Sequence, residues 1–153
     1  MKYDILLIGG NGFVGRVLAA QLQAEGYSVL LPTRHLASAR ELRLLPKVHL
    51  EDTDVHEFDS LQALCSRIKL GGAVINLVGV LHDKPAQPYG KVFEAAHVEL
   101  PKNIITAMQL HGLKRYLHMS ALGADSNGPS MYQRSKGDGE AAVKASNLDW
   151  TIF

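Results

Sequence analysis

Four glycines fall within seven residues directly after a short apolar run, and this feature constrains the fold more than any other. The apolar run extends from Tyr3 to Ile8 and predicts a strand that is buried on both faces. The glycine segment reads Gly9-Gly10-Asn11-Gly12-Phe13-Val14-Gly15. It opens a stretch, from Phe13 to Leu22, in which apolar side chains recur at helical spacing. The chain is therefore expected to begin with a strand, a glycine turn and an amphipathic helix.

Strand-like and helix-like segments alternate over the rest of the chain. Further strands are predicted at 28–31, 48–50, 73–78, 115–120 and 148–153, and helical segments at 36–45, 60–68, 93–110 and 131–146. Gly71-Gly72 is expected to end the third helical segment, and Pro101 to mark a kink or a restart in the fourth. Right-handed crossovers then place helices on both faces of a parallel sheet. The predicted fold class is α/β, a doubly wound parallel sheet of the Rossmann kind.

Composition excludes several classes of protein. Sixteen Lys and Arg residues against fifteen Asp and Glu residues leave a net charge of +1, so no basic field for nucleic acid is expected. The apolar runs are too short to cross a membrane. A single cysteine, Cys65, is interpreted as a buried helical residue in a reducing, cytoplasmic setting. The seven histidines show no metal-binding spacing, so no metal site is predicted; His111 is expected to end a helix, His118 to line a strand end and Trp150 to lie in the core.

The glycine segment fits two spacings of dinucleotide-binding loops. One is Gly10-x-Gly12-x-x-Gly15 and the other is Gly9-x-x-Gly12-x-x-Gly15. In either, the first glycine permits a tight turn, Gly12 lets the backbone approach a pyrophosphate, and Gly15 lets the helix pack closely. A P-loop is disfavoured, because Arg16-Val17 stands where Lys and Ser or Thr are needed. The cofactor-binding residues predicted here are Gly9, Gly10, Asn11, Gly12, Phe13, Val14, Gly15 and Arg16.

The end of the second strand indicates which dinucleotide is bound. NAD enzymes place an acidic residue there to hold the ribose hydroxyls, and no Asp or Glu occurs between Glu25 and Glu41. The residues present are Thr33-Arg34-His35. The Arg34 guanidinium suits a 2′-phosphate, and Arg16 could assist it. NADP(H) is therefore the predicted cofactor, with NAD(H) as the alternative.

Two later segments are expected to complete the cofactor site. Asp54-Val55 follows the third strand, where the Asp54 carboxylate could contact adenine or, equally, cap a helix. Asn76-Leu77-Val78-Gly79 ends the fourth strand, where Gly79 would let the backbone pass beside the ribose. Asp54, Val55, Asn76, Val78 and Gly79 are accordingly predicted to bind the cofactor.

A Tyr-x-x-x-Lys pattern supplies the candidate catalytic residues. Tyr132 and Lys136 are four residues apart on a predicted helix, so both side chains lie on one face. An ammonium near the phenol favours the phenolate, which lets tyrosine act as a general acid or base. Lys136, with Tyr132, is also expected to contact the cofactor. Ser120, at the predicted end of the fifth strand, could donate to a substrate oxygen or simply cap that strand.

These motifs together resemble the short-chain dehydrogenase/reductase superfamily, of the extended or atypical kind. The closer resemblance is to the family of NAD(P)-binding accessory subunits of respiratory complex I and their bacterial relatives. The matching stretches are 9–16, 54–56, 74–79, 117–124, 132–136 and 139–140. The resemblance implies tight NADP(H) binding in a structural, regulatory or assembly role, with complex I or another protein as partner and a homodimer left open. It also implies a position at the inner membrane as an alternative to the cytoplasm.

Two positions depart from active members of the superfamily. Met119-Ser120-Ala121 contains one serine where active members carry a serine-rich run, and His97 stands where an asparagine is common. Three functions therefore stay open: a bound nucleotide without turnover, an active reductase, epimerase or dehydratase, and an NADP(H)-sensing regulator. The chain is interpreted as a nucleotide-binding Rossmann domain over 1–153 that lacks a substrate-side C-terminal part, with the sixth strand only begun at Phe153.

Overall fold

A computed structural model describes all residues from Met1 to Phe153 and contains one six-stranded parallel sheet. The strands are β1 (Tyr3–Ile8), β2 (Val29–Thr33), β3 (Val48–Asp52), β4 (Ile68–Asn76), β5 (Arg115–His118) and β6 (Asp149–Ile152). Their spatial order is β3-β2-β1-β4-β5-β6. The order reverses between β1 and β4, which is the point where doubly wound sheets open a crevice for ligands. The predicted Rossmann arrangement is confirmed.

Helices connect successive strands. They are α1 (Phe13–Ala24), a 3-10 helix (Leu36–Leu44), α2 (Phe58–Ser66), α3 and α4 (Met131–Lys144). Helix α3 is continuous from Lys91–Phe93 through a π-helical turn, Glu94–Glu99, to Leu100–Leu110. Pro101 lies in the first turn of the last stretch, where a missing backbone N–H is tolerated. The helix neither stops nor restarts at this proline; it changes from the π-helical turn to α-helical geometry at Leu100, directly before Pro101.

The two faces of the sheet are covered differently. Helices α2, α3 and α4 bury one face through a cluster that includes Leu61, Ile104 and Val143. On the other face, α1 and the 3-10 helix bury a smaller cluster that includes Ala19 and Leu42. The periodic apolar residues of α1 do not all face this core, because Phe13 is 93% exposed and Val14 and Val17 are also exposed. They flank an apolar groove that continues over Leu117, Met119 and Phe153.

Several predicted boundaries were wrong for identifiable reasons. Gly71-Gly72 does not end a helix; α2 stops at Ser66, and both glycines lie inside β4, where the pairing register with β1 shifts. Strand β5 ends at His118, although the Ser120 N–H still donates to the Phe153 carbonyl at 2.8 Å. Trp150 is 37% exposed rather than core, because β6 is an edge strand. Cys65 is buried in α2, as predicted.

Candidate functional site

The glycine loop packs so tightly that side chains are excluded from it. Gly9 has φ +78°, and a Cβ there would lie 3.0 Å from the backbone of Leu77. A Cβ on Gly15 would lie 2.4 Å from the Gly10 Cα. The turn out of β1 therefore needs Gly9, and the close approach of α1 to the loop needs Gly15. The positive φ at Gly9 favours the spacing that begins at Gly9.

Two polar side chains hold this loop against the segment after β2. Asn11 Nδ2 donates to Ser38 Oγ at 2.8 Å, and Arg16 donates from Nε to the Asn11 carbonyl at 3.0 Å. Arg16 also donates to the Asn11 side-chain oxygen and the Ser38 carbonyl. These contacts engage the half-buried Arg16 guanidinium with the loop itself, and Arg16 does not line the cleft, so it supports the loop.

A cleft of about 460 Å³ opens at the carboxyl edge of β1, β2, β3 and β4. This volume lies within the range of sites for small molecules and cofactors, roughly 300–1,000 Å³. The residues that line it are Gly9, Asn11, Gly12, Pro32, Thr33, Arg34, His35, Thr53, Asp54, Val55, His56, Leu77, Val78, Gly79 and Val80. The cleft thus brings together Gly9, Asn11, Gly12, Arg34, Asp54, Val55, Val78 and Gly79 from the predicted set.

The remaining predicted cofactor residues lie behind or beside the cleft. Gly10 and Gly15 form the packing beneath the loop, and the side chains of Phe13 and Val14 line the apolar groove on the other side of α1. Asn76 is buried, and its Oδ1 accepts from the Val78 N–H at 3.1 Å. Asn76 therefore shapes the cleft wall through the backbone of Val78.

At the far end of the cleft, the position directly after β2 carries a cation where NAD enzymes place an acid. Strand β2 ends at Thr33, and Arg34 follows with a side chain that is 60% exposed. Its Nη1 lies 3.5 Å from Asp54 Oδ2. Asp54 Oδ1 accepts from the His56 N–H at 2.9 Å, and α2 begins after Glu57, so Asp54 does not cap that helix. An anionic group near Arg34 would meet a free guanidinium edge.

Helix α4 carries both Tyr-x-x-x-Lys residues, with Lys136 beside the cleft and the Tyr132 ring against those of Phe93 and His97. Its start is capped reciprocally: Ser130 Oγ accepts from the Gln133 N–H, and the Gln133 side chain accepts from the Ser130 N–H. Lys136 is buried, and its Nζ donates to the Met119 carbonyl at 3.0 Å. A Cβ on Gly79 would lie 3.7 Å from Lys136 Nζ, so the ammonium reaches the cleft wall.

Burial dominates the electrostatics of Lys136. It lowers the pKa of the ammonium from 10.5 to about 8, and Glu140 opposes this shift. The lysine is still mostly charged at pH 7. A buried cation beside a cleft can hold hydroxyl groups of a bound ligand or stabilise a neighbouring phenolate.

The end of β5 contributes further buried polar groups. His118 Nδ1 lies 3.2 Å from the Tyr116 hydroxyl, which lies 3.4 Å from Asn76 Nδ2. Two buried atoms, Ser120 Oγ and His118 Nε2, have no hydrogen-bond partner. Strand β5 was expected to run to Ser120, but the serine lies two residues beyond its end, with a hydroxyl that has no partner. His118 lines the end of β5 and His111 ends α3, both as predicted.

Some residues of the site were not among those predicted from the sequence. Thr33, His35 and Val80 line the cleft, and Ser135 joins the buried network beside Lys136. Ser135 lies inside the Tyr-x-x-x-Lys motif, but its role depends on His97, 38 residues away. No three His, Cys, Asp or Glu side chains come together as metal ligands, and no helix has the length and apolarity needed to span a membrane.

Comparison with known proteins gives the family of this site. A family model described as NAD(P)H-binding matches residues 9–153. The chain is 27% identical over 149 residues to the mitochondrial NADH-ubiquinone oxidoreductase 40 kDa subunit of Neurospora crassa. It is 32% identical over 152 residues to the mitochondrial NADH dehydrogenase [ubiquinone] 1 alpha subcomplex subunit 9 of Arabidopsis thaliana. These alignments cover 95% and 96% of the chain but only 38% and 36% of the relatives.

Solved structures agree on the fold. UDP-glucuronic acid 4-epimerase from Bacillus cereus, in complex with NAD, superposes with a TM-score of 0.77 at 20% identity, covering 99% of this chain and 55% of the epimerase. A short-chain dehydrogenase/reductase from Veillonella parvula gives a TM-score of 0.73 at 15% identity, covering 99% and 68%. The sequence relatives confirm the resemblance to complex I subunits, and the solved structures show the fold that the chain shares with short-chain dehydrogenases/reductases.

Proposed function

Since the chain belongs to the NAD(P)H-binding family, we propose that its cleft binds NADP(H) in preference to NAD(H). The observation that carries this preference is the far end of the cleft, where Arg34 follows β2 and no acid takes the position that holds ribose hydroxyls in NAD enzymes. The glycine loop fits a pyrophosphate, because no side chain caps the start of α1 and Gly12, which lines the cleft, carries no side chain. Asp54 is then available to the adenine amine.

We further propose that the nucleotide has a structural or regulatory role in a protein assembly, as part of a respiratory complex I-type enzyme. Support comes from the sequence relatives, which are named as subunits of NADH dehydrogenase. Because the chain spans just over a third of those relatives, its partners and its place at the inner membrane or in the cytoplasm are part of this proposal. The unit proposed to bind the nucleotide is the Rossmann domain of 1–153.

An active oxidoreductase is the second candidate, and two observations favour it: the Ser120 hydroxyl has no partner, and buried Lys136 donates to the carbonyl of the preceding residue, Met119. In this role Tyr132 would exchange a proton with a carbonyl or alcohol, Lys136 would stabilise the phenolate, and Ser120 would donate to the substrate oxygen. A bound nicotinamide would supply the hydride. Turnover by the native protein that disappears in Tyr132→Phe, with nucleotide affinity retained, would favour this candidate over a structural role.

Arg34→Ala is expected to weaken NADPH binding by about tenfold to a hundredfold and to change NADH binding little. The reason is that a hydrogen-bonded pair with a charged phosphate contributes roughly 1.5–3 kcal/mol, and only NADPH carries the 2′-phosphate. Isothermal titration of both nucleotides into each variant measures this. Arg40→Ala is the matched control, since Arg40 is exposed on the 3-10 helix and does not line the cleft. Equal affinities for both nucleotides, unchanged by Arg34→Ala, would contradict the NADP(H) preference.

A further inference from the structure

A buried histidine joins the wall of the cleft to the helix that carries Tyr132 and Lys136. His97 lies in the π-helical turn of α3 and is 2% exposed. Its Nε2 accepts from the Val80 N–H at 3.0 Å, and its Nδ1 lies 2.8 Å from Ser135 Oγ. Val80 belongs to the cleft wall, and Ser135 lies on α4 between the two motif residues. One imidazole therefore bridges the cleft wall and α4, which are also joined further along the loop by Arg134 Nε, donating to the Pro88 carbonyl, and by the Tyr89 hydroxyl, donating to Asp138 Oδ2.

The hydrogen bonds of this bridge run in one direction only. A backbone N–H can only donate, so Nε2 must offer a lone pair to Val80. The neutral ring then carries its proton on Nδ1 and donates it to Ser135 Oγ. The Ser135 hydroxyl in turn donates to the Tyr132 carbonyl at 3.0 Å. Each group has one role, and a doubly protonated His97 could not accept from Val80.

Aromatic and backbone contacts fix the position of the His97 ring. The ring stacks on Phe93 at 5.2 Å between centroids and meets the Tyr132 ring edge-on at 5.4 Å. A Cβ on Gly139 would lie 2.2 Å from the His97 carbonyl oxygen, so α4 touches the backbone of the π-helical turn. The titratable groups whose charges act most on the pKa of the ring are Lys136, His118 and Asp83. The ring is therefore in contact with both α4 and the loop after β4.

We propose that His97 is a positioning residue, whose neutral imidazole holds the cleft wall at Val80 in register with Tyr132 and Lys136 on α4. The π-helical turn makes this possible, because the extra residue per turn carries His97 inward between β4 and α4. The Val80 N–H sets the proton on Nδ1 and Ser135 Oγ accepts it, so His97 and Ser135 act as a pair. The positioning role of His97 rests on the proposed function in one respect only, the effect of His97 on nucleotide affinity.

The first test measures the two hydrogen bonds of His97 in the absence of any ligand. Nitrogen-15 NMR of the histidine rings at pH 7 is expected to show His97 protonated on Nδ1 alone. In His97→Phe, which keeps an aromatic ring but loses both hydrogen bonds, hydrogen exchange at the Val80 amide is expected to accelerate at least about tenfold. The Leu77 amide, which donates to the Ile8 carbonyl at 2.9 Å, is the internal control and should keep its protection. His97 protonated on Nε2, or unchanged exchange at Val80, would overturn the proposal.

The second test reads nucleotide affinity. His97→Phe is expected to raise the Kd for NADPH about tenfold, as the loss of one or two hydrogen bonds would. His97→Gln, which keeps one acceptor and one donor, should recover part of that loss, and exposed His82→Gln should cause none. Ser135→Ala should leave Nε2 as the acceptor from the Val80 N–H, remove only the hydrogen bond at Nδ1, and weaken binding less than His97→Phe. An unchanged Kd in His97→Phe, for a nucleotide that the native chain binds, would overturn the proposal.

The two tests separate the positioning role from the proposed function. If the native chain binds neither NADPH nor NADH, the proposed function fails, and the ring tautomer with Val80 exchange still decides the role of His97. If the native chain binds NADPH but Val80 exchange is insensitive to His97→Phe, only the positioning role fails.

Discussion

Lowering the pH from 7 to 4 is expected to cost the folded protein about 3 kcal/mol for each of two buried histidines, His97 and His118. Burial lowers the pKa of both rings to about 4, and the Lys136 ammonium lowers them further in the same direction. In the unfolded chain both rings titrate near 6.5. Between pH 6.5 and 4 the unfolded state therefore binds more protons, and stability falls as the pH falls. Above about pH 6.5 neither ring adds a pH dependence.

Urea unfolding in steps of half a pH unit measures this slope, which should approach about 1.4 kcal/mol per pH unit for each histidine. His118→Gln should remove about half of it, and exposed His82→Gln should leave it unchanged. The carboxyl groups with lowered pKa values, Asp4, Glu51 and Glu140, lose their contribution mainly below pH 4.5 and so act after the histidines. A free energy of unfolding that stays level from pH 7 to 4.5 would contradict the buried, neutral state of both rings.

Gly15→Ala is expected to destabilise the protein by about 2–3 kcal/mol and to weaken dinucleotide binding at least about tenfold. On an open helix surface the same change stabilises by roughly 1 kcal/mol, so the sign of the effect is diagnostic. The added Cβ would meet the Gly10 Cα at 2.4 Å and the Gly10 carbonyl at 2.6 Å. These are backbone atoms, so the clash can be relieved only if α1 moves away from the glycine loop.

Chemical unfolding and nucleotide titration of Gly15→Ala check both effects. Gly79→Ala is the matched control for stability, because its Cβ would meet only the end of the Lys136 side chain, at 3.7 Å. That variant should stay within about 0.5 kcal/mol of the native protein. A Gly15→Ala protein that is as stable as the native one would show that α1 does not need its close approach to Gly10.

The fold was predictable because its signals are local. The buried strand before Gly9, the glycine spacing and the alternation of strands with helices each lie within a few residues of one another. Right-handed crossovers then leave few topologies, and the observed strand order is among them. Arg34 and the lack of an acid at the end of β2 are also visible within a few residues of sequence, so the cation at the far end of the cleft could be predicted.

The errors arose where distant segments decide the outcome. The apolar residues at the start of α1 have helical spacing, but Phe13 and Val14 face a groove that no helix of this chain covers. Trp150 is apolar enough for a core but lies on an edge strand. Gly71-Gly72 has the composition of a helix end, whereas pairing with β1 draws both glycines into β4. Hydropathy reports what a side chain prefers, and only the packing of other elements determines what it meets.

By itself the sequence determined the strand–helix alternation, the glycine turn and the placing of Tyr132 and Lys136 on one helix, because each depends on spacing along a single element. Tertiary structure alone decided that Arg16 supports the loop, that Lys136 is buried against Met119, and that His97 joins Val80 to Ser135. The partners in these contacts lie 5 to 38 residues apart. Their hydrogen bonds form only once the helices have packed on the sheet, since burial removes the water that would otherwise satisfy each group.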